Sequence, residues 1–328
     1  MKKRGVGMGC MWYGVGNTGL PNPAAAFVEV HSDGSVTVLT GAADIGQGSD
    51  TVMCQIVAEA LGVHYEDVSV LSADSGVTPE SGASSASRQT YISGNACLNA
   101  ANMAKETIVK VAAELLGTTA SNVELRDRRA FDKNNTDNHI LYSKVLMTMK
   151  QKGIIAVGSG SFNPDTTGLN PENLEGSPYG TYAFATQIVE VEVDTETGEV
   201  DVIKIIAAHD VGTAINKQNV EGQIEGGALM GVGYALLEEI ELDNGKIKNP
   251  NFTSYLINTA MDTPKIYPII VEEHSETGPF GAKGVGEPTL IPTAPAILSA
   301  IEDAIGIRFN EVPVTPEKII KSLKNGGK

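Results

Sequence analysis

Basic residues are scarce in this sequence. Lys and Arg number 24 against 40 Asp and Glu in 328 residues, a formal charge of −16. A chain so acidic is repelled by nucleic-acid backbones and anionic lipid surfaces, so neither is an expected partner. Cysteine is also sparse. Cys10, Cys54 and Cys97 are odd in number and about 40 residues apart, which excludes a disulfide framework, a CxxC zinc site and iron–sulfur ligation. The five histidines (His31, His64, His139, His209, His274) show no HxxxH or HExxH spacing, so they build no zinc site. No apolar run approaches the ~18 residues of a membrane span. Behind Met1-Lys-Lys-Arg4 the sequence is broken by glycines instead of forming the apolar stretch of a signal peptide, and a cytoplasmic chain is expected. There is no GxSxG elbow and no Walker A loop. Gly5-Val-Gly-Met-Gly9 has nucleotide-loop spacing with no strand before it.

Glycine, by contrast, is plentiful. Its 36 residues exceed the usual ~7% and imply tight loops or close backbone approaches. Apolar residues make up 41%, enough for a substantial core. Alternating runs at 26–31 and 35–40 flank Ser32-Asp-Gly34, a hairpin signal, and the glycine loop Gly41–Gly48 follows. Ser49-Asp50 would cap a helix over 51–61, and a strand is expected at 68–71. The loop Ser81–Ser87 leads into a helix over 94–116. Residues 121–152 are polar and yield only a short helix near Ser143.

The stretch 158–180, rich in Pro, Gly and Asn, reads as a linker between halves 1–157 and 181–328. The opening pattern then recurs. A hairpin (187–194 and 199–208), the loop His209-Asp-Val-Gly212, a helix containing Gln223-Ile224, a strand at 268–272 and a helix over 294–305 repeat the first half. The shared landmarks lie about 165 residues apart. The expected fold is therefore α+β: twisted mixed sheets covered by helices, in two related halves. Loops duplicated in this way are expected to gather around one cavity.

Three loops carry candidate chemistry. Gly278-Pro-Phe-Gly-Ala-Lys-Gly-Val-Gly-Glu-Pro288 combines close-approach glycines with Lys283 and a carboxylate, Glu287, that Pro288 biases toward an extended backbone. A carboxylate fixed in this way is a candidate general base, though a solvated surface Glu has the same sequence. Gly46-Gln47-Gly48, ahead of a helix, can aim amides at an anion or can be an ordinary capped turn. Ser84, Ser85, Ala86 and Ser87, with Arg88 and Thr90, form a hydroxyl-rich loop suited to phosphate. His209, beside Asp210, is expected to be a partly buried, satisfied histidine.

Taken in order, GAADIGQGSDTVMCQIVAEALG, SGASSASRQTYISGNA, EGQIEGGALMGVGYALLEE and GPFGAKGVGEPTLIPTAPAILSAIEDAIG resemble the molybdopterin-binding part of the xanthine dehydrogenase/aldehyde oxidase family. The resemblance covers nearly the whole chain but only the C-terminal half of the family's usual molybdenum subunit. With Met1 just ahead of the match, a naturally split subunit is expected.

The resemblance implies that Glu287 is the general base for hydroxylating nicotinate or a similar N-heterocycle with water. It implies that Gln47, between Gly46 and Gly48, hydrogen-bonds a molybdenum ligand. Ser84, Ser85, Ala86 and Ser87, with Ala282, Lys283, Gly284, Val285 and Gly286, would line the pterin and its phosphates. The metal would be held by the pterin dithiolene, with no protein ligand. A molybdopterin in its cytosine dinucleotide form, a larger molybdopterin subunit, a [2Fe–2S] subunit and an FAD subunit passing electrons to NAD(P) are the implied cofactors and partners. A purine- or aldehyde-oxidising relative, or a non-catalytic assembly subunit, would share the glycine loops; the assembly subunit would not need Glu287.

Overall fold

The computed structural model of the chain describes residues 1–326. They form two compact units. Unit 1 comprises Met1–Tyr13, Tyr182–Glu273 and the chain from Val285; unit 2 comprises Gly14–Thr181 and His274–Gly284. Relative to a division at 158–180, the units exchange segments: the first strand belongs with the later half, and the loop 274–284 with the earlier one. Elements are numbered along the chain.

In unit 2, β2 (Ala24–Val30) and β3 (Val36–Thr40) form the expected hairpin, with Val28 opposite Val38. Every second side chain is buried, as a half-covered sheet requires. Helix α1 (Ser49–Leu61) crosses to β4 (Val68–Ser72), which runs parallel to β3. Helix α2 (Gly94–Leu116) begins in a widened π-type turn over Gln89–Ser93. Strand β8 (Ala156–Phe162) pairs antiparallel with β2, giving the order β4-β3-β2-β8.

The presumed linker thus opens as a strand, and the reason is steric. A Cβ on Gly158 would lie 2.0 Å from the Ala100 carbonyl oxygen, and one on Gly160 would lie 2.3 Å from the Ala96 carbonyl oxygen. The glycines let α2 lie directly on the sheet. Residues 121–152 hold a three-stranded meander, β5 (Val123–Arg126), β6 (Arg129–Asp132) and β7 (Asn135–Leu141), followed by α3 (Tyr142–Gln151). Its first turn uses Asp127 and Arg128 at φ 48° and 56°, left-handed positions that carry no glycine signal.

Unit 1 repeats the scheme. Hairpin strands β9 (Tyr182–Asp194) and β10 (Val200–Asp210) lead through α4 (Lys217–Leu236). The small hairpin β11 (Leu242–Asp243) and β12 (Lys246–Ile247) follows, then β13 (Lys265–Val271), parallel to β10. Helices α5 (Thr293–Ile305) and α6 (Pro316–Lys324) complete the unit. The fourth strand here is β1 (Lys2–Gly14), and the order β13-β10-β9-β1 matches β4-β3-β2-β8 place for place.

The nucleotide-loop spacing Gly5, Gly7, Gly9 is therefore a strand alternation that turns only glycine toward α5. Cβ atoms there would sit 2.1 to 2.2 Å from the carbonyl oxygens of Ala300, Ala296 and Pro292. The expected α+β fold with two related halves is the fold observed.

One face of the unit 1 sheet packs on α4 and α5 through Val189, Val191, Ile205, Ile224, Ile297 and Ile301, all buried. The opposite face is open. Met8, Trp12, Phe184, Ile188, Tyr267 and Ile269 lie exposed on it, and Lys2, Arg4, Glu190, Glu192 and Lys204 form an ion-pair network at one end. Among the described residues no helix is long and apolar enough to cross a membrane.

Candidate functional site

Unit 2 brings three of the sequence-identified loops together. In the first, Gln47 turns onto its own loop. Its Nε2 donates to the Ala43 carbonyl oxygen (3.2 Å) and to Ser49 Oγ (3.0 Å), and its Oε1 accepts from the Ile45 amide (2.7 Å). The N-terminus of α1 is capped neither by Ser49 nor by Asp50. The Asp44 carboxylate accepts from the amides of Gly46 (2.8 Å), Gly48 (3.4 Å) and Asp50 (3.2 Å). Asp44 therefore takes the donors that an external anion would use at this helix end.

The second loop is tied to the first: Ser84 Oγ donates to the Ala43 carbonyl oxygen (2.6 Å) and accepts from Gln89 Nε2 (3.1 Å). Ala86 and Ser87 adopt φ of 53° and 49°, a sharp bend that leaves Ser85 exposed. Beneath it lies Arg88, 1% exposed. Its Nε donates to Asn22 Oδ1, Nη1 to the carbonyl oxygens of Ser81 and Ala83, and Nη2 to those of Asn22 and Pro23. All five N–H groups are used, every acceptor is neutral, and Arg88 forms no ion pair among the described residues. Burial lowers its pKa, and Glu80 opposes that shift. A guanidinium buried in this way staples the loop to the entry of β2 and keeps its positive charge without an ion-paired carboxylate among the described residues.

The third loop, 278–284, is clamped on the start of α2. Tyr91 Oη donates to Thr277 Oγ1 (2.8 Å), and Asn95 Nδ2 donates to the Thr277 carbonyl oxygen (2.8 Å). At its end Gly284 lies against Ser87 so closely that a Cβ would stand 1.7 Å from the Ser87 carbonyl oxygen. The serine loop and the glycine loop thus meet backbone to backbone, with Ala282 and Lys283 buried alongside (Lys283 is 8% exposed). Two buried cations and closely approaching backbones suit a group that carries phosphate, so the residues present fit a molybdopterin.

In unit 1 the chain continues through Val285, Gly286 and Glu287, all half-buried. Glu287 opens a one-turn 3-10 helix, Glu287–Thr289, and is not extended as Pro288 predicted. The turn is held by the Thr289 and Leu290 amides donating to the carbonyl oxygens of Gly286 (3.3 Å) and Glu287 (3.2 Å). The Thr289 hydroxyl also donates to the Gly286 carbonyl oxygen (2.6 Å). Below it, Gln187 Nε2 donates to the Thr289 carbonyl oxygen (2.8 Å), and His209 Nε2 lies 3.1 Å from the same nitrogen.

His209 is fully buried, deeper than the sequence implied, and its Nδ1 has no partner among the described residues. Burial pushes its pKa down to about 4. Sequence reasoning placed Arg88 in a phosphate-suited loop without seeing its buried carbonyl contacts, and left Gln187 without a role. Gln187 had a signal: it occupies a core-facing place in the alternation Ala185, Gln187, Val189, where an apolar residue belongs.

Fold and loops together define a cofactor-binding domain. Residues 1–264 match the molybdopterin cofactor-binding domain family, and the chain belongs to it, within the xanthine dehydrogenase/aldehyde oxidase group. It is 34% identical to a putative xanthine dehydrogenase molybdenum-binding subunit of Escherichia coli, over 99% of this chain and 43% of that protein. It is 33% identical to subunit gamma of the 6-hydroxypseudooxynicotine dehydrogenase complex of Paenarthrobacter nicotinovorans, over 97% and 39%. Among solved structures, quinoline 2-oxidoreductase from Pseudomonas putida 86 superposes with a TM-score of 0.89 at 26% identity, covering 98% of this chain and 42% of that one. The chain thus spans less than half the length of these relatives. The Glu287 loop lies beyond the family match but within the span shared with the Escherichia coli protein.

Proposed function

We propose that the chain is the molybdopterin-binding, base-carrying part of a hydroxylase that converts nicotinate, or a closely similar N-heterocycle, to its ring-hydroxylated product in the cytoplasm. The supporting observation is the backbone contact of the Ser81–Ser87 and Gly278–Gly284 loops, three residues ahead of Glu287. When bound, the cofactor supplies a two-electron acceptor and activates water as the source of oxygen. The overall change, ring C–H plus water to ring C–OH, releases two electrons and two protons.

The chain's own residues hold and deprotonate. Amides and hydroxyls of Ser84, Ser85, Ala86, Ser87 and Ala282–Gly286 bind the pterin and the phosphates of a cytosine dinucleotide, with Arg88 and Lys283 offsetting phosphate charge. The Glu287 carboxylate takes up the proton released as the new C–O bond forms. Gln47 would hydrogen-bond a ligand of the metal when the cofactor is bound.

The open apolar face of the unit 1 sheet supports a larger partner polypeptide that completes the site. Iron–sulfur and FAD subunits carry the electrons on to NAD(P). A relative named for a nicotine derivative and a solved structure named for quinoline support an N-heterocycle as the substrate, and the Escherichia coli relative named for xanthine supports a purine as the second reading.

The test uses the purified native complex: molybdenum by mass spectrometry, and the nucleotide released by mild acid. Molybdenum and CMP in near-equal amounts are expected. Glu287→Gln is expected to keep both and to lower nicotinate hydroxylation by about 10³-fold. A complex with neither molybdenum nor nucleotide overturns the cofactor reading, and near-normal turnover in Glu287→Gln removes the base.

A further inference from the structure

The short turn that begins with Glu287 is fixed to the rest of unit 1 by one side-chain hydrogen bond, from Gln187, and two further bonds hold that side chain in place. Gln187 projects from the central strand β9 into the core, 0% exposed. Its amide orientation is forced. Nε2 faces the Thr289 carbonyl oxygen at 2.8 Å, where a flipped Oε1 would set acceptor against acceptor. Oε1 therefore accepts from Thr293 Oγ1 (2.6 Å), the first residue of α5. The second Nε2 hydrogen points to His209 Nε2 (3.1 Å) on β10, so that nitrogen is the acceptor and the ring carries its proton on Nδ1. One side chain thus links β9, β10, the N-terminus of α5 and the end of the Glu287 turn.

Helix α4 is shaped around this knot. A Cβ on Gly227 would lie 1.9 Å from Thr289 Oγ1, and one on Gly231 would lie 2.4 Å from Thr293 Cβ. The two threonines occupy the space these glycines leave, so neither hydroxyl can swing away from its bond.

We infer that Gln187 and Thr293 are positioning residues for Glu287. The amide of Gln187, oriented by Thr293 and His209, holds the Thr289 carbonyl and with it the turn that presents the carboxylate. The inference rests on Glu287 as the base.

Thr293→Val, Thr293→Ser and Gln187→Leu are compared with wild type in the purified complex. Amide hydrogen exchange of the segment 284–290 is the first readout, and kcat and KM for nicotinate are the second. Thr293→Val and Gln187→Leu are expected to speed exchange in that segment by about tenfold or more while β9 and β10 stay protected. They should lower kcat by a similar factor with KM within about twofold, and Thr293→Ser should restore both. Unchanged exchange at 284–290 overturns the inference. So does an equal rise across β9, β10 and α5, which would mark a purely structural bond. Failure of the base assignment shows separately, as activity retained by Glu287→Gln, and the exchange result is independent of which heterocycle is the substrate.

Discussion

Gly7→Ala adds one methyl group to a residue remote from the glycine loops, and its effect follows from backbone geometry. The new Cβ would stand 2.1 Å from the Ala296 carbonyl oxygen and 2.3 Å from the Ala300 amide nitrogen, where ordinary contact begins near 3.4 Å. Neither atom belongs to a side chain that can rotate away, so α5 must lift from β1 by about 1.3 Å. Overpacking of this kind costs roughly 1–3 kcal/mol, and a clash with backbone alone belongs at about 3. For a chain of 328 residues that lowers Tm by about 4 °C.

The same lift moves Thr293, at the head of α5, and a displacement of about 1 Å at a positioned catalytic group can cost about 10²-fold in rate. Thermal unfolding of the complex measures the first effect and nicotinate turnover the second. Glu302→Ala, at an exposed position on α5, serves as control and should change stability by no more than about 0.5 kcal/mol. A Gly7→Ala protein as stable as that control would refute the packing account of β1.

Arg88→Met should destabilise unit 2 by about 3 kcal/mol, because five acceptors, buried or part-buried, lose the Arg88 donors together. Arg88→Lys should recover little, lacking the planar fork, and thermal unfolding of both variants checks this. His209 predicts a pH dependence. Its unfolded ring takes a proton near 6.5 and its buried ring only near 4, so between these values the unfolded chain binds more protons. This contribution is fully present above pH 6.5 and declines as pH falls to about 4, by about 3 kcal/mol in total. Denaturation midpoints across pH 4–7 should show the slope, and His209→Asn should flatten it.

The hairpins, the parallel return strands and the long helices were legible because their periodicities are clean and their stops are glycines, as at Gly62 and Gly117. The duplication was legible for the same reason. What escaped were strands whose buried positions carry no hydrophobic residue. At Gly5, Gly7 and Gly9, and again at Gly158 and Gly160, the helix comes too close for any side chain, so the strand is written in glycine and looks like a loop. The meander escaped because its first turn is made by Asp127 and Arg128, without glycine.

The site divides along similar lines. The serine and glycine loops were visible as composition. Arg88 and Gln187 gain their roles from carbonyl groups contributed by distant segments, 65 and 102 residues away for Pro23 and Thr289, which no local pattern encodes.

The interleaving of the two units also sets an order of assembly. Strand β1 leaves the ribosome well before β9, its neighbour in the sheet; Cys10 meets Thr186 across 176 residues of chain. Its glycine side waits longer still, for α5. Most of unit 2 emerges in between and can collapse on its own contacts, while β1 trails with Val6, Met8 and Trp12 exposed on a strand that has no partner. The period between synthesis of β1 and of β9 is when this protein is most open to mispairing with another nascent copy, and when a holding chaperone would matter most.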